Sequence, residues 1–157
     1  MRQILILGAG KSSSHLIRHL VNHRLHLDIN LVIIDIDISH LYAAYKALEH
    51  VSLIEIKSGN VEDYEQYITE SFITISMLPA FMHIQVANLC LKHSSHLVTP
   101  SYISPEMKAL HENVQSKNLI FLNELGFDPG IDHLTTMKIY DELVAEGSQL
   151  LAYKSYA

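Results

Sequence analysis

Two rhythms of apolar residues alternate along the chain. Runs at 3–8, 31–36, 52–57, 72–77, 96–99 and 119–123 are rich in aliphatic side chains, as short strands buried in a parallel sheet are. Between them, 12–24, 39–49, 62–70, 82–93 and 105–117 carry apolar residues three and four apart, as at Val86, Leu89 and Cys90, which is the spacing of one helix face. Strand and helix alternate from end to end, so the pattern predicts an α/β fold, a doubly wound parallel sheet. Two helix starts are also legible. Ser104 precedes Pro105, and Asp128 precedes Pro129 ahead of an apolar run over 131–144; each pair sets a polar cap before a proline in the first turn. After the turn at Gly147 and Ser148, residues 149–156 read as one more strand.

The first strand runs into Gly8-Ala9-Gly10-Lys11-Ser12-Ser13, which holds two half-motifs. Gly10-Lys11-Ser12 matches the end of a nucleoside-triphosphate loop, but that loop needs a glycine where Leu5 stands inside the strand. The dinucleotide turn fits better, with Gly8 for the tight turn, Gly10 for close approach of the backbone to a pyrophosphate, and a helix N-terminus behind them. Ser13 replaces the third glycine of that motif. It is small enough for the helix to pack on the strand, and the hydroxyls of Ser12, Ser13 and Ser14 can serve as caps or phosphate donors. Lys11 either adds charge near the pyrophosphate or sits solvated at the rim.

Asp35 closes the second strand 25 residues after Gly10, where an acidic side chain binds ribose hydroxyls. The competing role for Asp35 is a cap on the next helix, and Asp37, two residues on and on the same side, is its substitute. A carboxylate at this point sets a like charge within about 4 Å of a 2′-phosphate, a repulsion of up to ~4 kcal/mol at a surface-like dielectric. NAD is therefore expected ahead of NADP. Asn60 and Val61, after the third strand, fall where the adenine edge is contacted, or form a simple polar turn. Together these features specify a Rossmann NAD(P)-binding domain.

Composition narrows the setting. A chain of 157 residues, 48% hydrophobic, fits one domain with a substantial core. Its net charge of -6, without a basic cluster, argues against nucleic acid or an anionic membrane and for a small ligand. No apolar run is long enough to span a bilayer, the start leads directly into a strand, and Cys90 stands alone; the expected location is cytoplasmic and reducing. His15, His19 and His23 fall four apart, but without the glutamate and further ligand of a zinc helix they read as a solvated flank, and no metal is expected.

In an open parallel sheet, ligands lie at the carboxyl ends of the strands. Three loops stand out there: Ser76-Met77-Leu78-Pro79, Thr99-Pro100-Ser101-Tyr102 and the stretch 124–133. "LVTPSYISPEM" and "NELGFDPGIDHLTTMKIYDEL", with "ILILGAG" and "SMLP", resemble saccharopine dehydrogenases of the glutamate-forming, saccharopine-reductase type. The resemblance runs over essentially the whole chain, and D-P-G-I-D-H is its most specific part. Lysine 6-dehydrogenases and carboxynorspermidine dehydrogenases share the layout and remain alternatives.

The resemblance implies a nicotinamide-dependent oxidoreductase of lysine metabolism. Saccharopine's secondary amine loses hydride to the nicotinamide, and the imine hydrolyses to glutamate and aminoadipate semialdehyde. By motif it implies that Ser101, Tyr102 and Asp128 contact saccharopine, while Leu78, Pro79, Leu125, Gly126 and Phe127 border the nicotinamide. It assigns no catalytic acid or base. Fungal members of this type use NADP, in tension with the reading of Asp35. The resemblance also implies that 1–146 is the cofactor-binding domain and that 147–157 begins a strand leading into a second, α+β substrate domain of a longer enzyme. On that expectation this chain binds nucleotide without turning over saccharopine, and its strand edge at 149–156 allows pairing with another copy as a homodimer.

Each substrate-side residue has a second reading. Asp128 caps the last helix as well as, or instead of, meeting substrate; Tyr102 is a packed aromatic; His133 is a helix residue bonded to a neighbour rather than a proton shuttle. A different class of function, an NAD(H)-binding sensor without turnover, needs only Gly8, Gly10 and Asp35.

Overall fold

The computed structural model describes residues 1–155. Six strands, β1 (Arg2–Leu7), β2 (Ile29–Asp35), β3 (Val51–Glu55), β4 (Ile73–Ser76), β5 (His96–Val98) and β6 (Phe121–Leu122), form one parallel sheet in the order β3-β2-β1-β4-β5-β6. This is the Rossmann order, and its direction reverses between β1 and β4. The connecting helices are α1 (Ser14–His23), α2 (Ser39–Tyr45), α3 (Glu65–Thr69), α4 (His83–His93), α5 (Pro105–Ala109) and α6 (His111–Ser116), with α7 (Ile131–Ala145) after β6.

Successive strand residues point to opposite faces, so a fully apolar strand feeds two cores. Leu5, Leu7, Val32 and Ile34 pack with Tyr64, Ile68, Val86 and Cys90 on the α3 and α4 side. Ile6, Leu31 and Ile33 pack with Ile17, Val21 and Leu41 on the α1 and α2 side. Both layers are closed by short connections, which leaves the loops after the strands to form the site.

Several expected elements differ in detail. The helix expected over 105–117 is two short helices, parted at Leu110, where ψ relaxes to -9°. Ser104 caps the first of these, accepting the Met107 N–H at 3.1 Å with Pro105 in the opening turn. Asp128 does not repeat the arrangement. Its carboxylate is turned to Tyr102, and α7 starts only at Ile131, after Gly130 at φ 144°. A side chain at Gly130 would put Cβ 2.3 Å from the Gly126 carbonyl oxygen, so the chain can make this turn only with glycine. Residues 149–155 do not form the expected last strand; a strand needs a neighbour to bond with, and no described residue pairs with them. Tyr156 lies outside the described residues. No helix is long and apolar enough to cross a membrane among the residues described.

Candidate functional site

At the switch point, β1 ends in the glycine turn. Gly8 has φ 96°, and a Cβ there would stand 3.0 Å from the Met77 carbonyl oxygen, so this glycine is demanded by the close passage of the chain leaving β4. Gly10 is different. Its φ of -65° suits any residue, and a Cβ there would meet nothing within 4 Å. What its missing side chain preserves is space above the backbone, which is what a pyrophosphate needs.

A cleft of about 630 Å³ opens at this point, lined by Gly10, Lys11, Ser14, Asp35, Asp37 and His40. The helix behind the turn begins as a 3-10 turn, Lys11–Ser13, and continues as α1; among the described residues no side chain caps either start. The Ser13 and Ser14 amides bond back to the Gly10 and Lys11 carbonyls, so among the described residues the Lys11 and Ser12 amides are the ones left for an anion. Ser13 is buried and donates to the Gly10 carbonyl at 2.8 Å, while Ser14 donates to Lys11 O at 2.8 Å. These two hydroxyls hold the turn's own carbonyls rather than cap the helix, and Lys11 and Ser12 remain exposed at the rim.

Asp35 faces the turn. Its Oδ2 accepts the Ala9 N–H, and its Oδ1 accepts the Ile36 N–H at 2.6 Å and, more weakly, that of Asp37 at 3.3 Å. His40, in the first turn of α2, donates Nε2–H to the Ala9 carbonyl at 2.9 Å. Asp37 is occupied elsewhere. Its Oδ1 takes both the Ser39 hydroxyl at 2.6 Å and the Ser39 N–H at 3.0 Å, and these bonds hold its carboxyl below the usual range. The Ser39 amide that opens α2 is thus held by Asp37 and not by Asp35, while the N-cap position itself is Ile38. Asp35 keeps acceptor capacity on Oδ2 beside the cleft, because a carboxylate oxygen takes two bonds. Asn60 is exposed at the start of the turn before α3, whereas Val61 is buried in the core beneath it; neither lines this cleft.

Across the switch point the substrate-side residues gather. Tyr102 donates its hydroxyl to Asp128 Oδ1 at 2.8 Å, joining the loops after β5 and β6, and this bond to a carboxylate raises the phenol above its ordinary value. Glu124 N–H to Ser101 O at 3.0 Å and Leu125 N–H to Thr99 O at 3.2 Å tie the same two loops by their backbones. Gly126 lies close against the neighbouring loop, where a Cβ would stand 3.0 Å from Pro100 and force it to give way. Leu125 and Phe127 project from this loop into solvent, and Leu78 and Pro79 lie on the exit from β4, with Leu78 N 3.4 Å from the Cβ position of Gly8. His133 pairs with its neighbour Asp132 at 2.9 Å and is exposed, in line with the helix-residue reading. Along α1, His19 and His23 stack at 4.3 Å on the exposed flank.

A family model described as the saccharopine dehydrogenase NADP binding domain matches residues 4–122. The chain belongs to this family. A mitochondrial alpha-aminoadipic semialdehyde synthase of Rattus norvegicus is 30% identical over 156 residues, covering 99% of this chain and 16% of that protein. The saccharopine dehydrogenase [NADP(+), L-glutamate-forming] of Schizosaccharomyces pombe is 29% identical over 99% of the chain and 34% of its own length. The chain thus spans about a third or less of these relatives. Among solved structures, the apo saccharopine dehydrogenase (L-Glu forming) of Saccharomyces cerevisiae superposes with a TM-score of 0.76 at 26% identity, over 94% of this chain and 32% of that one. A scyllo-inositol dehydrogenase from Lactobacillus casei, at 17% identity and TM-score 0.66, shares the fold alone.

Two residues of the family domain's site region escaped the sequence. His40 and His83 each sit in the opening turn of a helix and reach a polar atom on a strand-end loop. The only signal for either was a lone histidine at a helix start.

Proposed function

We propose that this chain is the dinucleotide-binding part of an oxidoreductase that acts on the secondary amine of saccharopine, with NAD preferred and NADP accepted. The bound nicotinamide would supply the hydride acceptor. The chain's own part is to hold the pyrophosphate over Gly10 and the Lys11 and Ser12 amides, to meet the ribose with Asp35, and to present Ser101, Tyr102 and Asp128 to the amino-acid substrate. The observation that carries the reading is the junction of Tyr102 and Asp128, 26 residues apart in sequence, into one bonded patch across the switch point from the glycine turn. Hydroxyls can serve a carboxylate there, and an acidic group can serve an ammonium. The relatives' names support the substrate; Asp35 supports NAD against the NADP of those names, through its charge beside the 2′ position.

The experiment is a fluorescence titration of the chain with NADH and NADPH, followed by saccharopine with the oxidised cofactor. NADH is expected to bind more tightly, Asp35→Ser to narrow or reverse the ratio, and Gly10→Val to abolish binding of both without lowering Tm. Unaltered affinity in Gly10→Val would remove the pyrophosphate from that turn, and equal wild-type affinities would remove Asp35 as the selector.

A further inference from the structure

His83 opens α4, 3% exposed, with its ring between two hydroxyls. Nδ1 lies 2.9 Å from Ser76 Oγ at the end of β4, and Nε2 lies 2.9 Å from Ser101 Oγ after β5. Burial lowers its pKa from the ordinary 6.5, so the ring is neutral at pH 7 and has one N–H to place.

The two tautomers are not equivalent. With the proton on Nδ1, the ring donates to Ser76, and the Ser76 proton is left in a fully buried site where no other described residue accepts it. A buried donor without an acceptor is unfavourable. With the proton on Nε2, Ser76 donates to Nδ1 and Nε2–H donates to Ser101 Oγ, so every buried polar atom is served. This second arrangement leaves one donor unspent, the Ser101 hydroxyl itself. Ser101 is only partly buried, and its backbone N–H is already bonded to Thr99 Oγ1 at 3.1 Å. A carboxylate has no proton to give, so it can bond to Ser101 only when the serine is the donor.

We propose that His83 is a positioning residue whose Nε2–H tautomer holds the Ser101 hydroxyl as an outward donor for a carboxylate of the amino-acid ligand. The proposal rests on the reading of Ser101 as a substrate contact. It adds a line of three side chains, Ser76, His83 and Ser101, that links the loop bordering the nicotinamide position to the substrate patch.

The test uses the 157-residue chain with 15N-labelled histidine at pH 7. Two-bond 1H–15N spectra, with the His83 signal identified by its loss in His83→Gln, are expected to show a protonated Nε2 and a bare Nδ1. Saccharopine is then titrated with the oxidised cofactor into wild type, His83→Leu, which removes both ring nitrogens, and His83→Gln, which keeps an N–H of similar reach. His83→Leu is expected to weaken saccharopine roughly tenfold or more, the size of one lost bond to a charged group, with most of the loss restored in His83→Gln and NADH affinity the same in all three. An Nδ1–H tautomer, or an imidazolium, overturns the proposal on its own. So does equal saccharopine affinity in wild type and His83→Leu. No saccharopine binding by the wild type overturns the substrate reading, and the carboxylate role with it, whatever the tautomer. If His83→Leu does not fold, the tautomer and the His83→Gln affinity still decide.

Discussion

Helices α4 and α7 are the two longest apolar helices after β4, and they meet opposite fates. α4 buries His83, Val86, Ala87 and Cys90 against the sheet. α7 has no buried residue: Leu134 is 66% and Ile139 57% exposed, and the side-chain bond that Thr136 makes to Tyr153 at 3.0 Å is a local one. The sequences differ in how the apolar residues are arranged. In α4 they share one side, which suits a sheet face; in α7 Ile131, Leu134, Met137, Ile139, Leu143 and Val144 go around the helix, so no single flat face can cover them. The family match, which stops at residue 122, ends where this difference begins. The sheet and its helices form a closed unit, and α7 draws none of its order from that unit's core.

A charge placed in each helix has the largest expected effect. Val86→Asp should destabilise the chain by about 4 kcal/mol or more, since it buries an unpaired carboxylate, a large share of the about 5–15 kcal/mol that holds a domain together. Leu134→Asp should change stability by no more than about 0.5 kcal/mol. Urea unfolding monitored by circular dichroism compares them, and a large loss in Leu134→Asp would show that α7 is docked after all.

Chemical modification sharpens the contrast next. Burial pushes the Cys90 thiol up to about 12 and closes it to solvent, so a disulfide reagent at pH 8 should label the folded chain at least about a hundredfold more slowly than the unfolded chain. Met137 on α7, 52% exposed, should by contrast be oxidised by peroxide as readily in the folded chain as in urea. Mass spectrometry reads both sites.

The smallest effect is in the pH profile. Glu65 accepts from Lys92 Nζ and His93 Nε2, each at 2.7 Å, and these bonds hold its carboxyl below the ordinary 4.5. A carboxyl lowered by folding contributes stability that is complete above its unfolded value and is lost as the pH falls through its folded value. Tm should therefore fall as pH drops below about 4.5, and Glu65→Gln should flatten that slope slightly. Asp132, lowered by its His133 and Gly130 bonds against the effect of burial, should leave the slope unchanged when replaced by Asn, because α7 is not part of the melting unit.

Strands were the most legible part of the chain because a fully apolar run with helical stretches on each side has one arrangement that covers both faces. The glycine turn was legible too, since it combines a strand, two glycines and an acidic residue at fixed separation. At Asp128 the deciding contact was distant in sequence. Nothing local told Asp128 to turn to Tyr102 instead of capping α7, and the φ of Gly130 follows from its packing on Gly126. Residues 149–155 have strand-forming side chains, but a strand is a property of a pair. His83 was invisible for a related reason: its two partners lie 7 and 18 positions away, one at the end of β4 and one on the loop after β5.

The clamp on Ala9 carries a thermodynamic consequence for any nucleotide that enters. Asp35 holds the amide on one side of Ala9 and His40 the carbonyl on the other, so the two peptide planes under the phosphate position are already fixed. Freezing a residue's backbone costs about 1–2 kcal/mol in entropy; a turn ordered in advance spares the ligand that loss, which is preorganisation. Replacing Asp35 therefore has two effects at once. It loosens the turn, weakening NADH and NADPH alike, and it removes the charge that separates them, so selectivity must be read from the ratio of the two affinities and never from either alone.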